Sequence, residues 1–122
     1  MTRALTAVLV GVMEEDCRKT LIALLTDLGF RATDAIEPGI PRPDLVLATV
    51  PFDHLERVLK VARWVAEASP VVALLPTDDP DLVRRAEESG ATALYVLGAS
   101  IDALKALILR LRDEHGQGAE GA

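Results

Sequence analysis

Three short stretches, Leu5–Gly11, Asp44–Val50 and Pro70–Leu75, are nearly unbroken apolar runs dominated by valine, leucine and alanine. A strand with one face in water alternates apolar with polar residues, so these runs belong to strands covered on both faces. Parallel sheets flanked by helices bury strands in that way. The chain must therefore supply amphipathic helices between the runs, and its 122 residues, half of them hydrophobic, suffice for one such domain.

The helices are visible in the spacing. Cys17, Leu21, Leu24, Leu25 and Leu28 recur at helical intervals behind the acidic Glu14-Glu15-Asp16, and Gly29 closes the segment. Phe30–Ala35 reads as a weaker strand suited to a sheet edge. The segment Glu37–Pro43, with three prolines and a glycine, reads as an extended or turned link. Asp53 and Glu56 stand at capping-box spacing and open a helix to about Ala68. Asp79-Pro80 opens another that ends at Gly90. Ala91–Leu97 is a last strand. Ser100 caps a final helix with Ile101, Leu104, Leu107, Ile108 and Leu111 on one side. The domain is expected to span residues 1–115, with Gly116–Ala122 as a flexible tail. Five strands alternating with helices predict a doubly wound three-layer α/β/α sandwich.

Composition removes several functions. One cysteine, Cys17, with His54 and His115, cannot make a structural zinc cluster. A formal charge of −6 and few aromatics argue against nucleic-acid binding. Neither a signal segment nor a membrane span is expected, because the apolar run after Arg3 is too short. A cytoplasmic protein without a cofactor is the expectation.

Val8-Leu9-Val10 before Glu14-Glu15-Asp16-Cys17-Arg18, Pro43-Asp44-Leu45-Val46-Leu47, Pro70-Val71-Val72-Ala73-Leu74, and Gly90-Ala91 before Leu94-Tyr95-Val96 fall into one frame. In that order they resemble the receiver domain of two-component response regulators, over nearly the whole chain to about Glu114. The resemblance implies a CheY-like five-stranded parallel sheet of order 2-1-3-4-5. It also implies phosphotransfer parts: a carboxylate nucleophile after strand 3, an acidic pair holding Mg²⁺ after strand 1, a hydroxyl after strand 4, a lysine after strand 5 and an aromatic switch shortly before that lysine.

At the matching positions this chain has Thr49 for the nucleophile, Val12 and Met13 for the acidic pair, Leu75 for the hydroxyl, Leu97 for the lysine and Leu94 for the aromatic. Phosphoryl transfer depends on charge neutralisation and positioning, so these residue types cannot be exchanged freely. A hard cation would meet no anionic oxygen there. The resemblance is thus to a degenerate, or pseudo-, receiver: no Mg²⁺, no aspartyl phosphate, no catalytic residue, and signalling through protein contacts or as a homodimer. Glu14, Asp16, Asp78 and Asp79 either converge at the same sheet edge or act on helix dipoles.

Two alternatives stand beside this reading. An apolar pocket around Val12, Met13, Leu75 and Leu97 would suit a small-ligand sensor. Cys17, near the first strand–helix junction, also resembles the phosphocysteine loop of sugar-transport IIB proteins and would suit a phosphocarrier or enzyme, although its spacing shares a face with Leu21 and Leu24.

The span from Gly29 to Pro43 is too short for the helix that receivers carry between strands 2 and 3, so that helix is expected to be shortened or missing. The link 36–43 still reaches about 26 Å at ~3.3 Å per residue. The helix after Asp53 has an apolar arc of roughly 220° including Val61, Trp64 and Ala68. Either these residues pack under the proline-rich link, or they form a contact with a partner or a second copy, Trp64 being a typical interface anchor.

Overall fold

The structure, a computed structural model, describes residues 5–11, 14–33, 43–50, 55–66 and 68–120, with side chains to Glu114. The elements run β1 (Leu5–Val10), α1 (Glu15–Asp27), β2 (Phe30–Thr33), β3 (Leu45–Thr49), α2 (Leu55–Ala66), β4 (Val71–Leu75), α3 (Pro80–Glu88), β5 (Ala93–Val96) and α4 (Ile101–Glu120). The five strands form one sheet of order β2-β1-β3-β4-β5, parallel at every pairing. This is the expected topology, with β2 at an edge.

Strand alternation divides the core into two layers. Ala7, Leu9, Leu45, Leu47, Val72, Leu74 and Tyr95 face one side and meet Leu21, Leu24 and Leu25 of α1 and Leu104, Ile108 and Leu111 of α4. Val8, Val46, Ala48, Val71, Ala73 and Leu75 face the other and meet Leu55, Leu59, Ala62 and Ala66 of α2 and Leu82 and Ala86 of α3. Burial on both faces is why the central strands lack polar positions.

The N-terminal ends of the strands are tied by side chains. Asp44, just before β3, is buried, and its carboxylate accepts from the Thr6 backbone N–H at 2.9 Å. Ser69 donates to the Pro43 carbonyl at 2.6 Å, and the Thr92 hydroxyl accepts from the Val71 N–H at 3.0 Å. These bonds satisfy polar groups that would otherwise be costly at a buried strand entry. The aspartate of the Pro-Asp-Leu-Val-Leu motif therefore fixes how β3 enters the sheet beside β1.

Several boundaries differ from the sequence reading. α2 stops at Ala66, so Ala68 lies in the following turn. β5 is confined to Ala93–Val96. α4 continues across Gly116 to Glu120, beyond the expected start of the tail. Buried Leu104, Ile108 and Leu111 nucleate that helix, and each added residue then gains one backbone hydrogen bond, which offsets the poor propensity of glycine. Asp79 caps α3 as expected, accepting from the N–H groups of Asp81 and Leu82, and the Ser100 hydroxyl accepts from the Asp102 N–H at 3.1 Å. The expected capping box of α2 rests partly on Asp53, which lies outside the described residues. So does most of the link between β2 and β3, and with it the expected loss of a helix; among the described residues there are four helices. None of them is long and apolar enough to cross a membrane.

Candidate functional site

In a parallel sheet, ligands and chemistry gather where the strands end at their carboxyl edge. Here that edge is formed by Gly11 after β1, Thr49 and Val50 at the end of β3, Leu75 at the end of β4 and Leu97 after β5. Gly11 has φ +99°, and a Cβ placed on it would lie 2.7 Å from the Thr49 carbonyl oxygen and 3.3 Å from the Thr49 Cβ. Only glycine lets the chain leave β1 this close to the end of β3. The Thr49 hydroxyl oxygen is buried and, among the described residues, has no hydrogen-bond partner. No base or cation among them is hydrogen-bonded to it to activate it.

Leu75 is fully buried in the layer under α2 and α3, whereas Leu97 is half-buried and packs on the opposite layer under α1 and α4. Leu75 pairs with Val96, so Leu97 is one residue out of step and alternation turns it to the other face. The two leucines do not line a common pocket, which corrects the arrangement expected from sequence. Val12 and Met13, the other two members, lie outside the described residues. Leu94 shares the layer of Leu75, while Tyr95 points the other way and donates its hydroxyl to the Ala99 carbonyl at 2.6 Å, bracing the turn into α4.

The acids near this edge are dispersed. Glu14, Asp16 and Asp78 are exposed, Glu15 pairs with Arg18 at 2.6 Å, and Asp79 is engaged in capping α3. Among the described residues no three of His, Cys, Asp and Glu are grouped to hold a metal ion.

A shallow groove of about 350 Å³ opens instead on the α1/α4 side, lined by Cys17, Leu21, Tyr95, Leu97, Ile101 and Leu104. Cys17 is half-buried at its wall and packs against the core, as its helical spacing predicted. The groove itself was not foreseen. Its signal in the sequence is Gly98-Ala99, which offers no bulk to fill the space between Cys17 and Ile101.

α2 carries the other feature. Leu55, Leu59, Ala62 and Ala66 form its buried stripe, with Val58 and Val65 half-buried beside it. On the α3 side, Glu56 accepts a forked pair of bonds from Arg85, at 2.9 and 3.1 Å, and Arg63 lies over Gly90. The hydrogen bond from Arg85 holds the Glu56 carboxyl below its ordinary range, and the same bond raises the guanidinium. Facing outward, Trp64 is 75 % exposed and Val61 41 %, so the described residues bury neither.

No family model matches the sequence, and no curated protein matches it. Solved structures do. A response regulator from Thermotoga maritima superposes with a TM-score of 0.75 at 17% identity, covering 91% of this chain and 99% of that one. The chain has the receiver fold. The signal receiver domain of an HD domain-containing protein from Pseudomonas fluorescens Pf-5 gives a TM-score of 0.78 at 16% identity, covering 98% and 95%. A CheY-like protein, TadZ, from Pseudomonas aeruginosa PAO1 gives 0.70 at 18% identity, covering 88% and 98%. On this fold the carboxyl edge of the sheet bears Thr49, Leu75 and Leu97.

Proposed function

We propose that the chain is a receiver-like signalling module that is not phosphorylated and works through protein contacts, with the outward face of α2 as the contact surface. The observation that carries this reading is the chemistry of the strand ends. Thr49, Leu75 and Leu97 supply no carboxylate to accept a phosphoryl group and no ammonium to answer its charge, and Leu75 is built into the core. A group buried in that way cannot reposition on modification without leaving a cavity. No catalytic residue is assigned. The exposed Trp64 and Val61, with Ala68 beyond the helix end, supply the surface a partner or a second copy would cover.

Incubation with acetyl phosphate and Mg²⁺, followed by intact-mass measurement, tests the first half. The mass is expected to stay unchanged; a gain of one phosphoryl group would refute the proposal. The groove beside Leu97 favours a second reading, a small apolar ligand bound between Cys17 and Ile101. Native mass spectrometry of the purified chain would show a bound adduct that Leu97→Trp removes.

A further inference from the structure

The contact surface on α2 has a charge as well as an apolar anchor. Arg57, Lys60, Val61 and Trp64 are spaced three and four residues apart, which places them in one diamond on the outer face of the helix. All four are exposed. Among the described residues neither cation has an ion-pair partner, and the nearest acid of the helix, Glu56, is turned to the flank and held by Arg85. A chain of formal charge −6 thus presents a small basic and apolar patch around its sole tryptophan.

We infer that this patch docks an acidic segment of another protein, whose apolar side chains cover Trp64 and Val61 while its carboxylates answer Arg57 and Lys60. The inference rests on the proposed contact role of α2 and names the partner's chemistry. A second copy across a two-fold axis fits less well. An isologous contact repeats the same patch on both sides, bringing four cations together with no anion between them. A membrane fits less well too, since a helix lying in a bilayer inserts its whole apolar stripe, and the stripe of α2 is already buried against β3 and β4. Two free cations are also few for a nucleic-acid backbone.

The test uses the full chain and a displayed library of random peptides, with binders confirmed in solution by the fluorescence of Trp64. Enriched peptides are expected to combine Asp and Glu with apolar residues and to shift the tryptophan emission to the blue. They should bind Arg57→Glu/Lys60→Glu at least about tenfold more weakly at moderate salt, and Trp64→Ala about thirtyfold more weakly by competition. Both variants alter exposed side chains, and unchanged urea midpoints would show that they fold. Peptides that need Trp64 but show no acidic bias would overturn the partner chemistry and leave the α2 contact reading standing. Binding indifferent to Trp64, or no enrichment at all, would overturn both. A blue shift produced by concentrating the chain alone would assign the patch to self-association. One produced by phosphatidylcholine–phosphatidylserine vesicles would assign it to a lipid surface. Either result would overturn the inference.

Discussion

Replacing Gly11 by alanine measures how closely the ends of β1 and β3 approach at the carboxyl edge of the sheet. Two terms contribute. A left-handed φ of +99° costs an L-residue about 1–2 kcal/mol. In addition, the new methyl would sit 2.7 Å from the Thr49 carbonyl oxygen, a backbone atom that cannot swing aside, and forcing such an overlap typically costs about 1–3 kcal/mol. Gly98 supplies the control, because its φ is also +99° and no atom lies within 4 Å of its would-be Cβ. The loss of unfolded-state freedom on going from glycine to alanine is the same at both sites and cancels in the comparison. Gly11→Ala should therefore be less stable than Gly98→Ala by about 1–3 kcal/mol, read as a lower urea midpoint at constant slope. At this chain length the gap corresponds to roughly 3–5 °C in melting temperature per kcal/mol. If the two variants unfold together within about 0.5 kcal/mol, β1 and β3 do not converge at Thr49, and the geometry assigned to the candidate site is wrong.

Thr49→Val removes the buried, unpartnered hydroxyl while keeping the shape, so stability should be unchanged or rise by up to about 1 kcal/mol in urea; a loss of that size would reveal a partner for the hydroxyl. Leu75→Ala should cost about 2–5 kcal/mol and Leu97→Ala roughly half that or less, because Leu75 is wholly buried and Leu97 only partly. Equal losses in thermal melts would contradict their placement on opposite faces. Glu56 has a depressed folded-state pKa, so its pairing with Arg85 stabilises the chain above the unfolded carboxylate pKa and is lost as the pH falls through the lower folded value. Melting of wild type against Glu56→Gln should differ slightly near neutrality and converge in acid; since Glu56 is exposed and Arg85 partly so, added salt should also shrink the difference.

The strands were legible because burial on both faces leaves a mark at every position. Val46, Leu47 and Ala48, or Val72, Ala73 and Leu74, have no polar neighbour to suggest another structure, and Asp79-Pro80 and Ser100 announce their helices through local chemistry that needs no tertiary contact. What could not be read was which face a strand-end residue takes. Leu75 and Leu97 stand at matching ends of neighbouring strands, but the register that pairs Leu75 with Val96 is fixed by inter-strand hydrogen bonds, and a slip of one residue reverses every side chain. Leu75 and Leu97, two of the four apolar residues expected to share a pocket, accordingly part into two layers. The groove beside Cys17 went unread for a related reason: Gly98-Ala99 leaves room there, but whether that room opens depends on how far α1 stands from the start of α4, a distance that spacing along the chain does not encode.

For α2 the apolar arc of roughly 220° was visible in the sequence, and the structure shows how it is shared. The four fully buried residues Leu55, Leu59, Ala62 and Ala66 anchor the helix to β3, β4 and α3, and the forked bond from Arg85 fixes its flank. The outward residues therefore stand on a support that cannot easily rotate. Binding at such a face loses little conformational freedom, and tryptophan has only two side-chain torsions to immobilise while offering the largest apolar area of any residue. On the proposed reading, Thr49, Leu75 and Leu97 receive no phosphoryl group, and no chemical signal is converted into movement there. That reading favours a preformed surface over a switch: recognition would reside in the fixed diamond of Arg57, Lys60, Val61 and Trp64, and its strength would be set by how well a partner's acids and apolar side chains match it.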